Sequence, residues 1–275
     1  MKNFTKRTLT GIIYMTLMLG GTMIHPIVFA VVFAVFLFFV QLEFYNLVEN
    51  GGYCPHKRVG LSLGILLFLV SFGVVYKILP VTYSLVFIPF TTLIFLFEIL
   101  RVDSQVLRNA TITLAGFIYV AVPFGLLNFI VFSGFPEQPV FYPSTLAGIF
   151  FIVWAYDSMA YLVGSKFGKH KIHVKISPKK SWEGFIAGTV AGLIMGIANA
   201  VLFQRLSVSS WLAIAAIIIL FGTLGDLFES KIKRELKLKD SGTIMPGHGG
   251  LLDRVDSLLF ALPFIFIWLF ISGNI

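Results

Sequence analysis

The sequence predicts an all-α polytopic membrane protein of about nine transmembrane helices with its N-terminus in the cytoplasm. Three observations carry that reading: an apolar composition, apolar runs of membrane-spanning length, and basic residues gathered on one side. Hydrophobic residues make up 57% of the 275 and charged residues only 12%, against about 25% charged in an ordinary soluble domain. So few charges do not cover a water-facing surface, whereas a lipid-facing one needs none. An unusually apolar soluble enzyme is the alternative that this composition disfavours.

Apolar runs of roughly 17–25 residues mark spans. They fall at 8–24, 26–48, 60–77, 81–100, 109–133, 145–164, 183–204, 210–233 and 253–272. The first two are parted only by His25-Pro26. The second either crosses tilted or ends near Gln41 and continues along the interface. Lys2, Lys6 and Arg7 before an apolar stretch also suit a signal peptide, but no A-x-A-like cleavage site follows and the next run begins at once.

Orientation follows from Lys and Arg placement. With the N-terminus inside, only Lys77 and Arg205 fall outside, and the other 19 of the 21 Lys and Arg face the cytoplasm. An odd span number then puts the C-terminus outside. A net charge of +8 suits a membrane surface better than nucleic acid, because the basic residues flank apolar runs. One cysteine, Cys54, excludes an intramolecular disulfide and a cysteine metal cluster. Without repeats or a polar domain, residues 1–275 read as one integral membrane domain. Its N-terminal helices run to about 133, and the helices and loops of about 145–275 carry the chemistry.

An ionised group near the bilayer centre costs about 2.5–3.5 kcal/mol on insertion scales, so such residues are functional candidates. Asp157 lies inside the sixth run, in W-A-Y-D-S-M-A-Y, and Asp226 inside the eighth, in F-G-T-L-G-D-L-F-E-S. Asp253 and Asp256 begin the ninth. Asp226, Glu229, Ser230, Lys233 and Lys237 share one helical face, as do Asp253 and Asp256. Carboxylates at the head of such a stripe, with cations towards the water, suit a divalent ion with a polyphosphate above it. The plainer alternative is pairing of Asp226 or Glu229 with Lys233. Glu43 and Glu98, at cytoplasmic helix ends, are expected to pair with Lys or Arg such as Arg101.

Two basic loops face the same side. Residues 231–239 hold five Lys or Arg, and Pro246-Gly247 marks a turn. Gly249-Gly250 lets backbone N–H groups approach an anion just before the helix near Asp253, and His248 stands beside them as a phosphate donor. The other loop, 165–182, holds six lysines and two histidines; Ser177-Pro178 starts a turn, and Lys179-Lys180 precede the helix containing Glu183. His170 and His173 are read as solvated, and Lys169, Lys171 and Lys175 also suit anionic headgroups. The chemistry implied is transfer at phosphorus, met by charge neutralisation and alignment. The chain lacks G-x-x-x-x-G-K-[ST], G-x-S-x-G and H-E-x-x-H, which disfavours P-loop, lipase and zinc-protease readings.

From Ser230 to Asp256 the sequence resembles the signature of phosphatidate cytidylyltransferases (CDP-diacylglycerol synthases). The pattern is S-x-apolar-K-R, four residues, K-D, then P-x-H-G-G-x-x-D-R-x-D. It is met by Ser230, Lys233, Arg234, Lys239, Asp240, Pro246, His248, Gly249, Gly250, Asp253, Arg254 and Asp256. Met245 fills an apolar slot where Leu, Ile or Phe is expected, and Tyr156 one where Asn is frequent. Ser177–Gly184 and Asp157–His170 are also similar to that family.

The resemblance implies CTP plus phosphatidate giving CDP-diacylglycerol and pyrophosphate, for phospholipid biosynthesis in the cell's inner (cytoplasmic) membrane. It implies a site facing the cytoplasm, Mg²⁺ with a second, monovalent cation beside it, and a homodimer. Asp226 and Asp253 would hold the metal, with Asp157 and Asp256 assisting. Lys233, Arg234, His248 and the Gly249-Gly250 amides would take the pyrophosphate charge. Ser177, Lys179, Lys180, Ser230, Lys239, Asp240 and Arg254 would contact CTP or lipid phosphate. A CTP-dependent lipid kinase or a cytidylyltransferase for another lipid would share the nucleotide site. An anion transporter would need polar residues on both membrane sides, and the outer half is almost wholly apolar.

Overall fold

The structure, a computed structural model, describes residues 2–99, 105–134, 136–173, 176–247 and 249–275. Its helices run in the order α1 (Lys2–Met23), α2 (Pro26–Asn50), α3 (Lys57–Val75), α4 (Phe87–Ile99), α5 (Val106–Gly116) and α6 (Val122–Ile130). There follow α7 (Pro143–Phe167), α8 (Trp182–Phe203), α9 (Val208–Ile217), α10 (Thr223–Glu235) and α11 (Asp256–Ile271). A π turn at Phe117–Ala121 fuses α5 to α6, and another at Ile218–Gly222 fuses α9 to α10.

Among the described residues, six helical stretches are long and apolar enough to cross a membrane: Pro26–Asn50, Lys57–Val75, Val106–Ile130, Pro143–Phe167, Trp182–Phe203 and Val208–Glu235. Thr8–Met23 and Asp256–Ile271 are apolar but shorter. The run expected over 81–100 is a 3₁₀ segment, Val81–Val86, followed by the 13-residue α4.

Local chemistry explains the helix starts. The break before α2 is a cap: His25 is extended, its Nδ1 accepts the Ile27 N–H at 3.2 Å, and Pro26 occupies the first helical position. α2 then runs unbroken to Asn50, so the interruption allowed for near Gln41 does not occur. Gln41 is buried and donates from its side-chain NH₂ to the Gly60 carbonyl at 3.0 Å, which pairs that donor inside the bundle. Ser181 caps α8 by accepting the Gly184 N–H at 3.2 Å.

The core lies where α2, α3, α6, α7, α9 and α11 meet, filled by side chains such as Phe29, Phe33, Phe68, Leu127, Ile149 and Leu262. α7 and α8 approach most closely. A Cβ on Gly184 would stand 2.7 Å from the Ala160 carbonyl oxygen, and one on Gly188 2.9 Å from the Tyr156 ring. Small residues at a helix interface permit that contact where lipid offers little hydrophobic drive between helices. On the other side of α8, Ile186, Val190, Ile194, Ile197 and Val201 are exposed at helical spacing, the face expected against lipid.

At the end of α7 remote from the basic loops, Arg205 donates to Thr145 Oγ1 and to the Asn274 carbonyl, and its guanidinium lies 4.0 Å over the Tyr142 ring. Burial lowers the Arg205 pKa to about 10, partly opposed by Tyr142.

Two short ribbons depart from an all-helical chain. β1 (Phe132–Ser133) pairs with β2 (Val140–Phe141), and β3 (Lys171–His173) with β4 (Ser177–Ser181). The second ribbon replaces the simple turn expected at Ser177-Pro178. Its antiparallel pairing satisfies backbone groups of the basic loop and fixes Lys179 and Lys180 beside the ends of α7 and α8.

Candidate active site

The eighth expected span delivers Asp226 through an irregular helix. The π turn Ile218–Gly222 ends immediately before Thr223, and Asp226 follows in the first turn of α10. Such bulges recur where a helix must present a functional side chain. Asp226 Oδ2 lies 2.6 Å from Lys180 Nζ on β4, and Asp226 Oδ1 accepts the Ser230 hydroxyl at 3.3 Å. The ribbon and the helix are therefore joined at this carboxylate.

One turn further on, Lys233 Nζ stands 2.6 Å from Glu229 Oε2 and 2.6 Å from Asp253 Oδ1. The pairing of Glu229 with Lys233 is present, and the same ammonium reaches across to the next segment. Glu229 is 1% exposed and Lys233 9%. A charged triad this enclosed holds only while each member keeps its partners.

Asp253 is the most fully engaged carboxylate. Its Oδ2 accepts the Ser241 N–H at 3.1 Å and the Gly250 N–H at 2.8 Å. Burial pushes the carboxyl up, but the Lys233 hydrogen bond and charge and the Gly250 N–H outweigh it and hold it below the ordinary carboxylate range. The Gly250 amide, expected to face an anion, thus faces the chain's own carboxylate. Gly249 has φ +89°, and a Cβ there would lie 3.0 Å from Asp253 Oδ2, so the double glycine lets the loop wrap Asp253.

That loop is held from behind by α2. Glu43 is 2% exposed, and its Oε2 accepts the Leu252 N–H at 2.8 Å. This corrects the expected pairing with Lys or Arg: a backbone amide near the site is the partner. Glu98 pairs with His56, and Arg101 lies outside the described residues. Sequence reading also missed α1. Thr10 Oγ1 donates to the Pro246 carbonyl at 3.2 Å and the Tyr14 hydroxyl to the Arg254 carbonyl at 3.5 Å. The available signal was Thr10 and Tyr14 standing four apart on one face of an apolar run.

A cavity of about 850 Å³ opens among these elements. Its wall carries six carboxylates, Asp157, Asp226, Glu229, Asp240, Asp253 and Asp256, against the two cations Lys233 and Arg254, and α1 closes one side with Gly11, Tyr14 and Met15. Asp256, 7% exposed, caps its own neighbour by accepting the Ser257 N–H at 2.7 Å. A second cavity of about 210 Å³ adjoins the first, with Lys179, Lys180 and Ser181 on its wall. Asp157, Tyr161, Asp226 and Ser257 belong to both.

The remaining expected residues lie around this centre. Arg234 is exposed and donates to the Leu238 carbonyl at 3.4 Å. Lys239 is exposed, Ser177 starts β4, and none of these three lines either cavity. His248 and Lys175 lie outside the described residues. His170, read as solvated, is 2.7 Å from Glu183 Oε1.

The model of the cytidylyltransferase family matches residues 5–272. The chain belongs to the cytidylyltransferase family. It is 49% identical over 122 residues to a phosphatidate cytidylyltransferase of Staphylococcus aureus (strain COL), covering 44% of this chain and 46% of that protein. A phosphatidate cytidylyltransferase of Staphylococcus saprophyticus is 47% identical over 122 residues, with the same shares of the two chains. One of Haemophilus influenzae is 43% identical over 121 residues, covering 42% of each chain. In these alignments the chain spans about half the length of the relatives it matches.

The carboxylate-lined cavity offers a donor set that a magnesium ion would accept. Among the described residues no three of His, Cys, Asp and Glu stand together as a ready-made cage. Mg²⁺ keeps several waters and is commonly bound by one or two carboxylates plus substrate phosphates. The oxygen-only wall of carboxylates, in excess over cations, is the donor set that such an ion takes.

Proposed function

We propose that this protein is a phosphatidate cytidylyltransferase that converts CTP and phosphatidate into CDP-diacylglycerol and pyrophosphate. The observation that carries the reading is the 850 Å³ cavity, whose six carboxylates surround the Lys233–Asp253 contact at the end of membrane-spanning helices. A nucleotide triphosphate enters such a wall only with a cation, and its acceptor is a membrane lipid.

In the mechanism, Asp226 and Asp253, with Asp157 and Asp256 on the same cavity wall, would hold Mg²⁺, which would supply neutralisation of the triphosphate charge. Lys233, positioned by Glu229 and Asp253, takes charge that develops on the pyrophosphate. Arg234, Lys239, His248 and the Gly249 amide would extend that positive side. A phosphatidate oxygen attacks the α-phosphorus of CTP, a new P–O bond forms, and the bond to the bridging oxygen of the β-phosphorus breaks. The monoester is largely ionised near neutral pH, so no general base is needed. Charge balances, with a dianion and a tetra-anion on each side of the reaction. Orientation is the work of Lys180, Ser230, Asp240 and Arg254 around the cavity.

The wider setting belongs to the same proposal. We further propose nine spans with a cytoplasmic N-terminus, which would put the site at the inner face of the cytoplasmic membrane, and a homodimer as the active assembly. The test is to offer purified protein a panel of nucleoside triphosphates and lipid phosphates and measure pyrophosphate release. CTP with phosphatidate is expected to give CDP-diacylglycerol. Free CDP with a newly phosphorylated lipid would identify a CTP-dependent kinase instead.

A further inference from the structure

The two cavities that share Asp157 and Asp226 differ in charge and size. The larger is ringed by six carboxylates. A phosphate group arriving without a metal is repelled there, while a nucleotide carrying Mg²⁺ is attracted. The smaller adds two lysines and two hydroxyl groups, Ser181 and Thr223, to the shared wall. Its other walls are apolar or aromatic: Tyr156, Ala160, Tyr161, Ile172 and Phe185. Pockets for molecules of nucleotide size usually enclose about 300–1,000 Å³. At about 850 Å³ the first falls in that range, and at about 210 Å³ the second does not.

From these contrasts, and resting on the transferase reading above, we propose that the smaller cavity is the acceptor site, binding the phosphomonoester head and first carbons of the lipid through Lys179 and Lys180. The apolar walls fit the glycerol and acyl ester carbons. Tyr156 is held in place by its 2.7 Å hydrogen bond with Thr223. Lys180 joins the two sites, because it lines the small cavity while its ammonium contacts Asp226. The lipid oxygen then approaches the nucleotide across the Asp157–Asp226 wall, from the side away from the departing pyrophosphate. In-line displacement requires that disposition.

The test uses full-length protein in detergent with two probes, dioctanoyl phosphatidate and Mg-CTP. Lys179→Ala removes one charged contact from an exposed ribbon residue, and Ala160→Phe fills the cavity. Each variant should weaken dioctanoyl phosphatidate binding and raise its KM by about tenfold or more. Affinity and KM for CTP should stay within about twofold on the same scale. A tenfold loss for CTP with the lipid unaffected, or no change for either probe in Lys179→Ala, would overturn the proposal. Inorganic phosphate competing as well as the lipid would also overturn it, because the apolar walls would then contribute nothing. A wild-type protein that makes no CDP-lipid, yet binds dioctanoyl phosphatidate through Lys179, would sink the transferase reading while leaving this site standing.

Discussion

Lys233 Nζ lies 2.6 Å from Asp253 Oδ1, and this contact ties α10 to the glycine-rich loop ahead of α11. The same ammonium bonds Glu229, so one cation holds two enclosed carboxylates in register. The two halves of the cavity wall meet at Lys233.

Lys233→Met should therefore cost both stability and turnover. Removing one partner from an enclosed charge pair costs about 3–5 kcal/mol. The variant should melt several degrees lower in detergent and lose CDP-lipid formation in the surviving folded fraction. A melting temperature equal to that of wild type would show that the triad contributes nothing.

Acid should act through Asp253. Its folded pKa lies below the ordinary value, so the carboxylate adds stability that is complete above about pH 4 and is lost as pH falls through the lowered folded pKa. The melting-temperature gap between wild type and Asp253→Asn should be constant near neutral pH and close as the solution becomes more acidic. A gap that widened in acid would have the wrong sign.

Glu43 offers a third test, remote in sequence from the loop it holds. Glu43→Ala leaves the Leu252 N–H without its acceptor, worth about 1–3 kcal/mol for an enclosed donor. Hydrogen exchange should speed up in the 241–252 peptide and not in α8, with a fall in kcat. Glu43→Gln keeps an acceptor oxygen and should recover most of both. Equal damage from Ala and Gln would mean that charge, and not the hydrogen bond to Leu252, is what matters.

What was legible in the sequence is what repeats along a helix or stands out against an apolar background. Asp157 and Asp226 were visible as charges inside apolar runs, and the Asp226–Lys233 stripe as a helical period. The loop residues were visible through D-R-V-D and G-G, although the Gly250 amide turned to Asp253. Contacts made only by the tertiary fold were hidden. Tyr14 meets Arg254 across 240 positions and Glu43 meets Leu252 across 209. Glu43 bonds a backbone amide, which every residue except proline carries, so no side-chain pattern marks the partner. The small cavity was hidden for the same reason: Ala160, Ile172 and Phe185 are ordinary apolar residues until the ribbon packs beside α7 and α8.

On the proposed function, the carboxylate wall around Asp226 is where a cytidylyl group passes to a lipid phosphate. The most direct test is CTP labelled at the α-phosphorus, incubated with phosphatidate, Mg²⁺ and either wild type or Asp226→Asn. Wild type should place the label in CDP-diacylglycerol with one pyrophosphate released per lipid, and the variant should insert in the membrane yet form none. Wild-type turnover by Asp226→Asn would remove Asp226 from the site, and label recovered only as free CDP would rule out cytidylyl transfer.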